Sequence, residues 1–183
     1  MQEFLNWTVD IIREDKLLSP WLEEKKYEWT PLVSKSIVNI LEKGCSMIII
    51  TDKERDWFLE YIFTNINSPV QNRPFLPFYD GKGFYKYLDE VKSEEDINYI
   101  KDMLNISFPN GYCFWYIGRS QNVRAIIPKV SKNSFLWLLD EEMQDAFNLR
   151  SKDEALDMKL LQMFRLYNKT LSAALFAEIN VEN

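Results

Sequence analysis

The sequence contains no histidine among its 183 residues. Histidine is the commonest general acid or base near neutral pH and the commonest metal ligand. Ser46, Ser120 and Ser134 therefore have no histidine partner for a catalytic triad, and Cys113 has none to activate its thiol. The composition predicts no catalytic residue and no metal site, and it gives no indication of a bound cofactor.

Glycine is also scarce, with five residues in the chain, below the average of about 7%. Loops that cradle phosphate groups are built from glycine, so this scarcity disfavours them. Gly81 and Gly83 form the only G-x-G pattern, which lacks a third glycine and is interpreted as a plain turn. The acidic run 140–142 follows a predicted strand, where active-site carboxylates occur. A solvated helix start also explains it, and we favour that interpretation.

Positive charge is in deficit, because the chain has 22 Lys and Arg residues and 28 Asp and Glu residues, which gives a net charge of -6. Binding to a phosphate backbone needs a basic surface, so the composition argues against direct contact with nucleic acid. No apolar run approaches the roughly 18 residues of a membrane span, and no secretory signal is visible. Cys45 and Cys113 are interpreted as buried free thiols in a reducing compartment. The protein is predicted to be cytoplasmic.

Apolar side chains are abundant, with 46% hydrophobic and 15% aromatic residues, which predicts a folded chain with a substantial core. Short apolar runs alternate with amphipathic segments, as in βαβ units. We therefore predict one α/β domain over 1–183, with a doubly wound, mainly parallel five-stranded sheet of Rossmann-like type flanked by helices. The predicted strands cover 45–50, 75–79, 112–117, 134–139 and 146–149.

Capping signals predict where helices begin. Ser19-Pro20 opens a second helix, Thr30-Pro31 marks a break or kink before a third, and Ser93 opens another with Asp96 in the capping-box position. A capping box at 151–154 is predicted to open a long last helix that ends near 178. The other predicted helices cover 4–14, 31–43, 52–65 and 122–127.

The stretch 47–62 places an apolar strand directly before an amphipathic helix. In a doubly wound protein, this kind of turn commonly binds a nucleotide or a sugar phosphate. Here the turn carries Thr51 and Asp52, and the carboxylate is expected to cap the helix and to repel a phosphate. Arg119, after the third strand, is expected to lie across the switch point and to pair with Asp52. The sequence predicts a crevice that is structurally intact and chemically closed.

The last helix carries two apolar stripes, whereas a surface helix of a monomer needs only one. Either the helix is sandwiched within one domain, or one stripe meets another chain, and we favour self-association. The two stripes are Leu156, Leu160, Met163 and Tyr167 on one side and Leu161, Phe164, Leu171 and Leu175 on the other.

Several motifs occur in order along nearly the whole chain. They are Arg55-Asp-Trp57-Phe58-Leu59-x-Tyr61-Ile62, Arg73-Pro74, Ser134-Phe-Leu-Trp137-Leu and Leu156-Asp-x-Lys159-Leu160-Leu161-Gln162-x-Phe164. With this spacing the chain resembles the HobA family, the DnaA-binding initiator-associated proteins of the Helicobacter and Campylobacter group. That family is similar in fold to sugar isomerase (SIS) domains and to DiaA, its counterpart in enteric bacteria.

The resemblance implies a single SIS-like domain that forms a homotetramer and binds the N-terminal domain of DnaA, so that several DnaA molecules assemble at the replication origin. It also implies no isomerase activity. In DiaA-like proteins a Leu-Phe pair near the end of the last helix matters for the DnaA contact. Leu175-Phe176 matches that pair, although packing at a subunit interface is the alternative. The alternative function is an SIS-type phosphosugar isomerase or sensor, with its ligand near Thr51, Gly118 and Arg119.

Overall fold

A computed structural model describes residues 2–182, and its centre is a sheet of five strands. The strands are β1 (Ser46–Thr51), β2 (Phe78–Asp80), β3 (Tyr112–Arg119), β4 (Phe135–Leu139) and β5 (Ala146–Leu149). Their order in the sheet is β2-β1-β3-β4-β5, and every neighbouring pair is parallel. The predicted doubly wound α/β fold is therefore confirmed.

Helices cover both faces of the sheet, as parallel strands that are apolar on both sides require. They are α1 (Gln2–Glu14), α2 (Trp21–Glu24), α3 (Lys26–Leu41), α4 (Asp56–Ile66), α5 (Tyr85–Asp89), α6 (Glu94–Ser107), α7 (Ile126–Val130) and α8 (Leu156–Leu175). Short 3-10 turns precede α4, α5 and α7. None of the helices within residues 2–182 combines the length and the apolar character of a membrane span.

Two apolar clusters fill the space between the sheet and its helices. Alternate side chains of one strand belong to different clusters: Ile49 lies in the larger cluster with residues of α1, α3, α4 and α8, and Ile48 lies in the smaller cluster with residues of α5, α6 and α7. Three buried tryptophans, Trp29, Trp115 and Trp137, stand in the larger cluster, and the Trp115 ring lies 4.8 Å from that of Tyr167. The larger cluster therefore joins α3 and α8 to the middle of the sheet.

Most predicted boundaries agree with the structure. Each strand lies within a few residues of its prediction, and β2 stands at a sheet edge, as Pro74 and Pro77 indicated. The Ser93 hydroxyl caps α6 and the Asp96 carboxylate accepts the Ser93 amide, so this capping box is confirmed. Both cysteines are buried free thiols, as interpreted.

Of the break or kink predicted at Thr30-Pro31, the break is wrong, because α3 continues through Pro31. The proline ring removes one backbone hydrogen bond of the helix, but the burial of the flanking Trp29 and Leu32 in the larger cluster stabilises it. The Thr30 hydroxyl also donates to the carbonyl oxygen of Lys26 at 3.0 Å. Tertiary packing therefore outweighs the local preference of proline.

The predicted capping box at 151–154 is also wrong. The Ser151 amide donates across the molecule to Asp140 Oδ1 at 2.8 Å, and Asp153 Oδ1 accepts the Ala155 amide at 2.9 Å. These bonds form turns before the helix, so α8 begins at Leu156. It ends at Leu175, three residues before the predicted position.

Both stripes of α8 pack within this chain. The first stripe is fully buried, and Phe164 and Leu171 of the second are buried as well, while Leu161 and Leu175 are partly covered. Contacts with α1, α3 and α4 account for this burial. The apolar pattern of α8 therefore does not require a second chain, and self-association remains a prediction without that argument.

One buried carboxylate joins the end of α1 to α8. Asp15 Oδ2 accepts hydrogen bonds from Arg165 Nε at 2.6 Å and pairs with Lys169 Nζ at 2.8 Å. Its other oxygen accepts the Leu17 amide at 3.0 Å. Burial alone would raise the pKa of Asp15, but these donors together hold it well below its usual value. The charged form of Asp15 therefore stabilises the folded state.

We expect Asp15→Asn to lower the free energy of unfolding by about 1–2 kcal/mol at pH 7, since the two cationic partners are partly exposed. Because the folded pKa is depressed, the stabilisation is complete above the unfolded pKa of about 3.9 and is lost as pH falls through the folded pKa. Urea unfolding at several pH values measures this difference. The exposed Glu14→Gln is the control, and an Asp15 effect that persists unchanged in acid would contradict the assignment.

Candidate functional site

The first candidate site is a crevice at the carboxyl edge of the sheet. The chain moves outward in opposite directions from β1 and β3, so their carboxyl ends form the topological switch point, where open α/β sheets bind ligands. Thr51 and Ile117 are paired in register at these ends. The structure brings Thr51, Asp52 and the backbone of Arg119 together here, as predicted.

Asp52 occupies the place that an anionic ligand would take. Its Oδ1 accepts the Arg55 amide at 3.2 Å, and its Oδ2 accepts the Arg119 amide at 2.6 Å. Its carboxylate also pairs with the buried guanidinium of Arg55. The backbone donors from both sides of the switch point therefore already bind a carboxylate that belongs to the chain itself.

The predicted side-chain pair between Arg119 and Asp52 is wrong. The Arg119 guanidinium is half exposed and lies 3.3 Å from Glu54 Oε2, and only its backbone amide reaches Asp52. Arg55 takes the predicted role because it stands three residues after Asp52 on the same turn. The sequence did carry this signal, in the Asp-x-x-Arg spacing at a helix start.

Burial alone would lower the pKa of the Arg55 guanidinium, but Asp52 and Glu54 raise it, so Arg55 stays positively charged.

Close packing against Asp52 and Tyr116 explains why residue 118 is a glycine. A Cβ atom at that position would lie 2.6 Å from Asp52 Oδ2 and 2.9 Å from the Tyr116 hydroxyl. The switch point is therefore packed by its own polar groups.

A short segment closes the other side of the crevice. The Tyr85 hydroxyl accepts the Thr51 amide at 3.0 Å, and the Thr51 hydroxyl donates to Asp56 Oδ1 at 2.9 Å. The Arg124 guanidinium stacks 3.6 Å from the Tyr85 ring and binds Asp89 through two hydrogen bonds of 2.6 and 2.9 Å. Burial raises the pKa of Tyr85, so its hydroxyl stays protonated. Sequence reasoning missed Tyr85 and Arg124, because no local pattern links them to β1.

The other polar motifs do not add a site. Gly81 and Gly83 lie in the short 3-10 turn Gly81–Phe84 after β2, and a Cβ atom at Gly81 would lie 2.4 Å from the carbonyl oxygen of Ile49. The run 140–142 lies in the connection from β4 to β5 rather than at a helix start, and Glu141 pairs with Lys129. Within residues 2–182, no group of three acidic or thiol side chains is arranged to hold a metal ion.

Asp52→Ser should free the two amides and leave the buried Arg55 cation without its carboxylate. We expect a loss of about 3–5 kcal/mol in the free energy of unfolding, because an unpaired buried charge is costly. Millimolar sulfate or phosphate should then raise the melting temperature of the variant more than that of the wild type. Thermal unfolding at matched ionic strength measures this.

The exposed Glu54→Gln serves as the control for Asp52→Ser, since it removes a nearby carboxylate without uncovering the amides. It should change the melting temperature little and should show no anion response. Equal anion responses in wild type and Asp52→Ser would show that Asp52 does not occupy an anion site.

The second candidate site is the end of α8, where Leu175 and Phe176 stand. Leu175 is partly buried against the larger apolar cluster, whereas Phe176 is 52% exposed. The helix ends in a Schellman motif: the Glu178 amide donates to Ala173 at 2.8 Å and the Ala177 amide donates to Ala174 at 3.1 Å. These bonds hold Phe176 in a fixed turn at the end of α8.

The turn requires a left-handed backbone at Ala177, with φ of 56°. Glycine adopts this conformation without the steric conflict that a Cβ atom causes. We expect Ala177→Gly to raise the free energy of unfolding by about 0.5–1 kcal/mol. Ala174→Gly, inside the helix, is the matched control and should lower it by a similar amount. Thermal or urea unfolding measures both, and a destabilising Ala177→Gly would contradict the expected strain.

Comparisons with known proteins concern the whole chain. A family model described as "HobA: DNA replication regulator" matches residues 1–181. The chain is 30% identical to the DNA replication regulator protein HobA of Helicobacter pylori over 189 aligned positions, which cover 99% of this chain and 100% of that protein.

Solved structures give the same result. A crystal structure of HobA from Helicobacter pylori has a TM-score of 0.74 at 28% identity, covering 98% of this chain and 94% of that chain. A crystal structure of a HobA-DnaA (domain I-II) complex from the same organism matches with a TM-score of 0.73 at 28% identity, covering 98% and 99% of the two chains.

Proposed function

The chain belongs to the HobA family of DNA replication regulators, and we propose that it regulates the initiation of chromosomal replication by binding the N-terminal domain of DnaA. The observation that carries this proposal is the match over 98% of the chain to a structure of a HobA-DnaA (domain I-II) complex. The protein then acts in the cytoplasm as a binding partner of the initiator.

We further propose that the protein works without catalysis. Support comes from the crevice, where the Asp52 carboxylate holds the amides of Arg55 and Arg119 and the Tyr85 hydroxyl holds that of Thr51. A phosphosugar isomerase or sensor needs such donors free for its ligand. The same geometry therefore argues against the alternative function, and a panel of sugar phosphates should leave the melting temperature unchanged.

A homotetramer is the form in which we propose that the protein acts. Four equal chains hold several DnaA molecules together and raise their local concentration without any chemical step. The net charge of -6 supports a division of labour in which DnaA supplies the contact with origin DNA. An acidic surface also accelerates encounter with a basic patch on a partner. Residues 1–183 act in this proposal as one SIS-like unit.

Leu175 and Phe176 are our proposed contact residues for DnaA. Phe176 is an exposed aromatic side chain on a fixed turn, and aromatic anchors of this kind supply much of the energy of protein interfaces. Leu175 lies partly within the core, so its replacement changes stability as well as the surface. Phe176 is therefore the better position for a test.

We expect Phe176→Ala to weaken binding of the N-terminal domain of DnaA from the same organism at least tenfold, which is about 1.4 kcal/mol. Titration calorimetry measures the affinity, and analytical ultracentrifugation reports whether the oligomer stays intact. Met158→Ala, at the exposed opposite end of α8, is the matched control and should bind as the wild type does.

The outcomes of this titration separate the function from the site. Binding by the wild type that Phe176→Ala leaves unchanged would support the function and reject the site. A smaller oligomer in Phe176→Ala would assign the side chain to a subunit interface. No binding by the wild type would reject the proposed function.

A further inference from the structure

Asn110 and Gly111 form the only Asn-Gly dipeptide in the chain. They lie in the turn that joins α6 to β3. The Gly111 amide donates to the Phe108 carbonyl oxygen at 2.9 Å, which closes a β-turn with Pro109 in its second position. The Asn110 side chain is exposed to solvent. In this arrangement the side-chain amide is open to attack by the next backbone nitrogen, because glycine has no Cβ atom to hinder the approach.

The fold requires glycine at position 111. Its φ of 89° lies in the left-handed region, which a residue with a Cβ atom adopts only at a cost. A Cβ atom there would also lie 3.2 Å from Cys45 Sγ. The Gly111 carbonyl oxygen accepts the Ser46 amide at 3.0 Å, next to the first paired residues of β1 and β3. The unhindered backbone nitrogen beside Asn110 is therefore a consequence of the turn itself.

Two other asparagines precede a serine, and both are less open to the same attack. The Asn67 side chain is held, since it donates to the Leu76 carbonyl oxygen at 2.9 Å and accepts the Leu76 amide at 3.0 Å. Asn133 is exposed in a turn, as Asn110 is, but the Cβ atom of Ser134 hinders approach to it. Asn133 is therefore a matched comparison within the same chain.

We infer that Asn110 is a site of spontaneous deamidation. The Gly111 nitrogen, after losing its proton, attacks Cγ of the Asn110 side chain, and a new C–N bond closes a succinimide ring. The bond from Cγ to Nδ2 breaks, and the amide group takes up a proton and leaves as ammonia. Water then adds to either ring carbonyl, and the ring opens to aspartate or to isoaspartate. Each product carries one additional negative charge. The reaction needs no partner, so it is independent of the proposed function.

The reaction proceeds from an open form of the turn. In the closed turn the Gly111 N–H is bonded to Phe108, so this bond must break before the nitrogen can attack. Exposed turns with few buried contacts open at a low cost in free energy. Folding therefore slows the reaction relative to a free peptide, but it leaves Asn110 as the fastest-reacting asparagine of the chain.

The isoaspartate product lengthens the backbone by one methylene group directly before Gly111. At this point β3 joins β1, since Tyr112 pairs with Ser46. An additional backbone atom displaces the Gly111 carbonyl oxygen from the Ser46 amide, and the loss of this bond frays the beginning of the β1–β3 pair. The aspartate product keeps the normal backbone and leaves the pair intact. The two products therefore differ in their effect on the sheet.

Peptide mapping by mass spectrometry tests the site after incubation of the full chain at mildly alkaline pH. We expect conversion at Asn110 at least tenfold faster than at Asn67 or Asn133. Its rate should rise with pH, because the attacking nitrogen must lose its proton, and a synthetic peptide of residues 105–115 should react faster than the folded chain. Asn110→Gln is the matched control: its longer side chain would have to close a larger ring, so position 110 should stay unmodified. Conversion at Asn110 no faster than at Asn133 would reject the site.

Amide hydrogen exchange at Ser46, followed by NMR on the separated products, tests the effect on the sheet. The isoaspartate form should exchange this amide faster than the unmodified chain does. Asn110→Asp adds the charge without lengthening the backbone, so it should exchange the Ser46 amide at the unmodified rate. Equal exchange in the isoaspartate form and in the unmodified chain would overturn the effect on the β1–β3 pair.

Discussion

The carboxylate of Asp52, buried at the carboxyl edge of the sheet, is the interaction on which the architecture of the switch point depends. It joins the end of β1, the turn before α4 and the end of β3 through two backbone amides and one guanidinium. Gly118 is fixed by the same carboxylate, since a Cβ atom would collide with it. A fold that elsewhere opens a ligand site at this place is here closed by a carboxylate of the chain itself.

The last helix, α8, positions elements that are distant from one another in sequence. Its apolar stripes are buried by α1, α3 and α4, while neighbouring polar positions bind Asp15 and Arg73. Residues far apart in sequence, such as Asp15 and Arg73, therefore take their positions from the same helix. The turn at Ala177 and the connection 67–77 from α4 to β2 are both attached to α8.

The strands were predictable from sequence because continuous β-branched and aromatic runs occur where β1, β3 and β4 stand, and because turns and capping signals separate them. Local signals failed where distant groups compete for the same atoms. Ser151 resembles a helix cap, yet its amide donates a hydrogen bond to Asp140. Pro31 resembles a helix start, yet α3 continues through it because its neighbours are buried. In the crevice, Thr51 and Asp52 were foreseen, whereas Tyr85 and Arg124 meet them only through tertiary packing.

The strand order also has a kinetic consequence. Thr51 pairs with Ile117, and Ile49 pairs with Asp80, so the two ladders of β1 join segments that are distant in the chain. Parallel sheets of high contact order fold slowly, because the entropy of closing long loops is lost before the strand pairs can stabilise the chain. The bond from the Arg119 amide to Asp52 forms only once β3 has docked on β1. Nascent chains that expose β1 before β3 is available present an unpaired, strongly apolar strand, and they depend on rapid completion of the sheet to avoid aggregation.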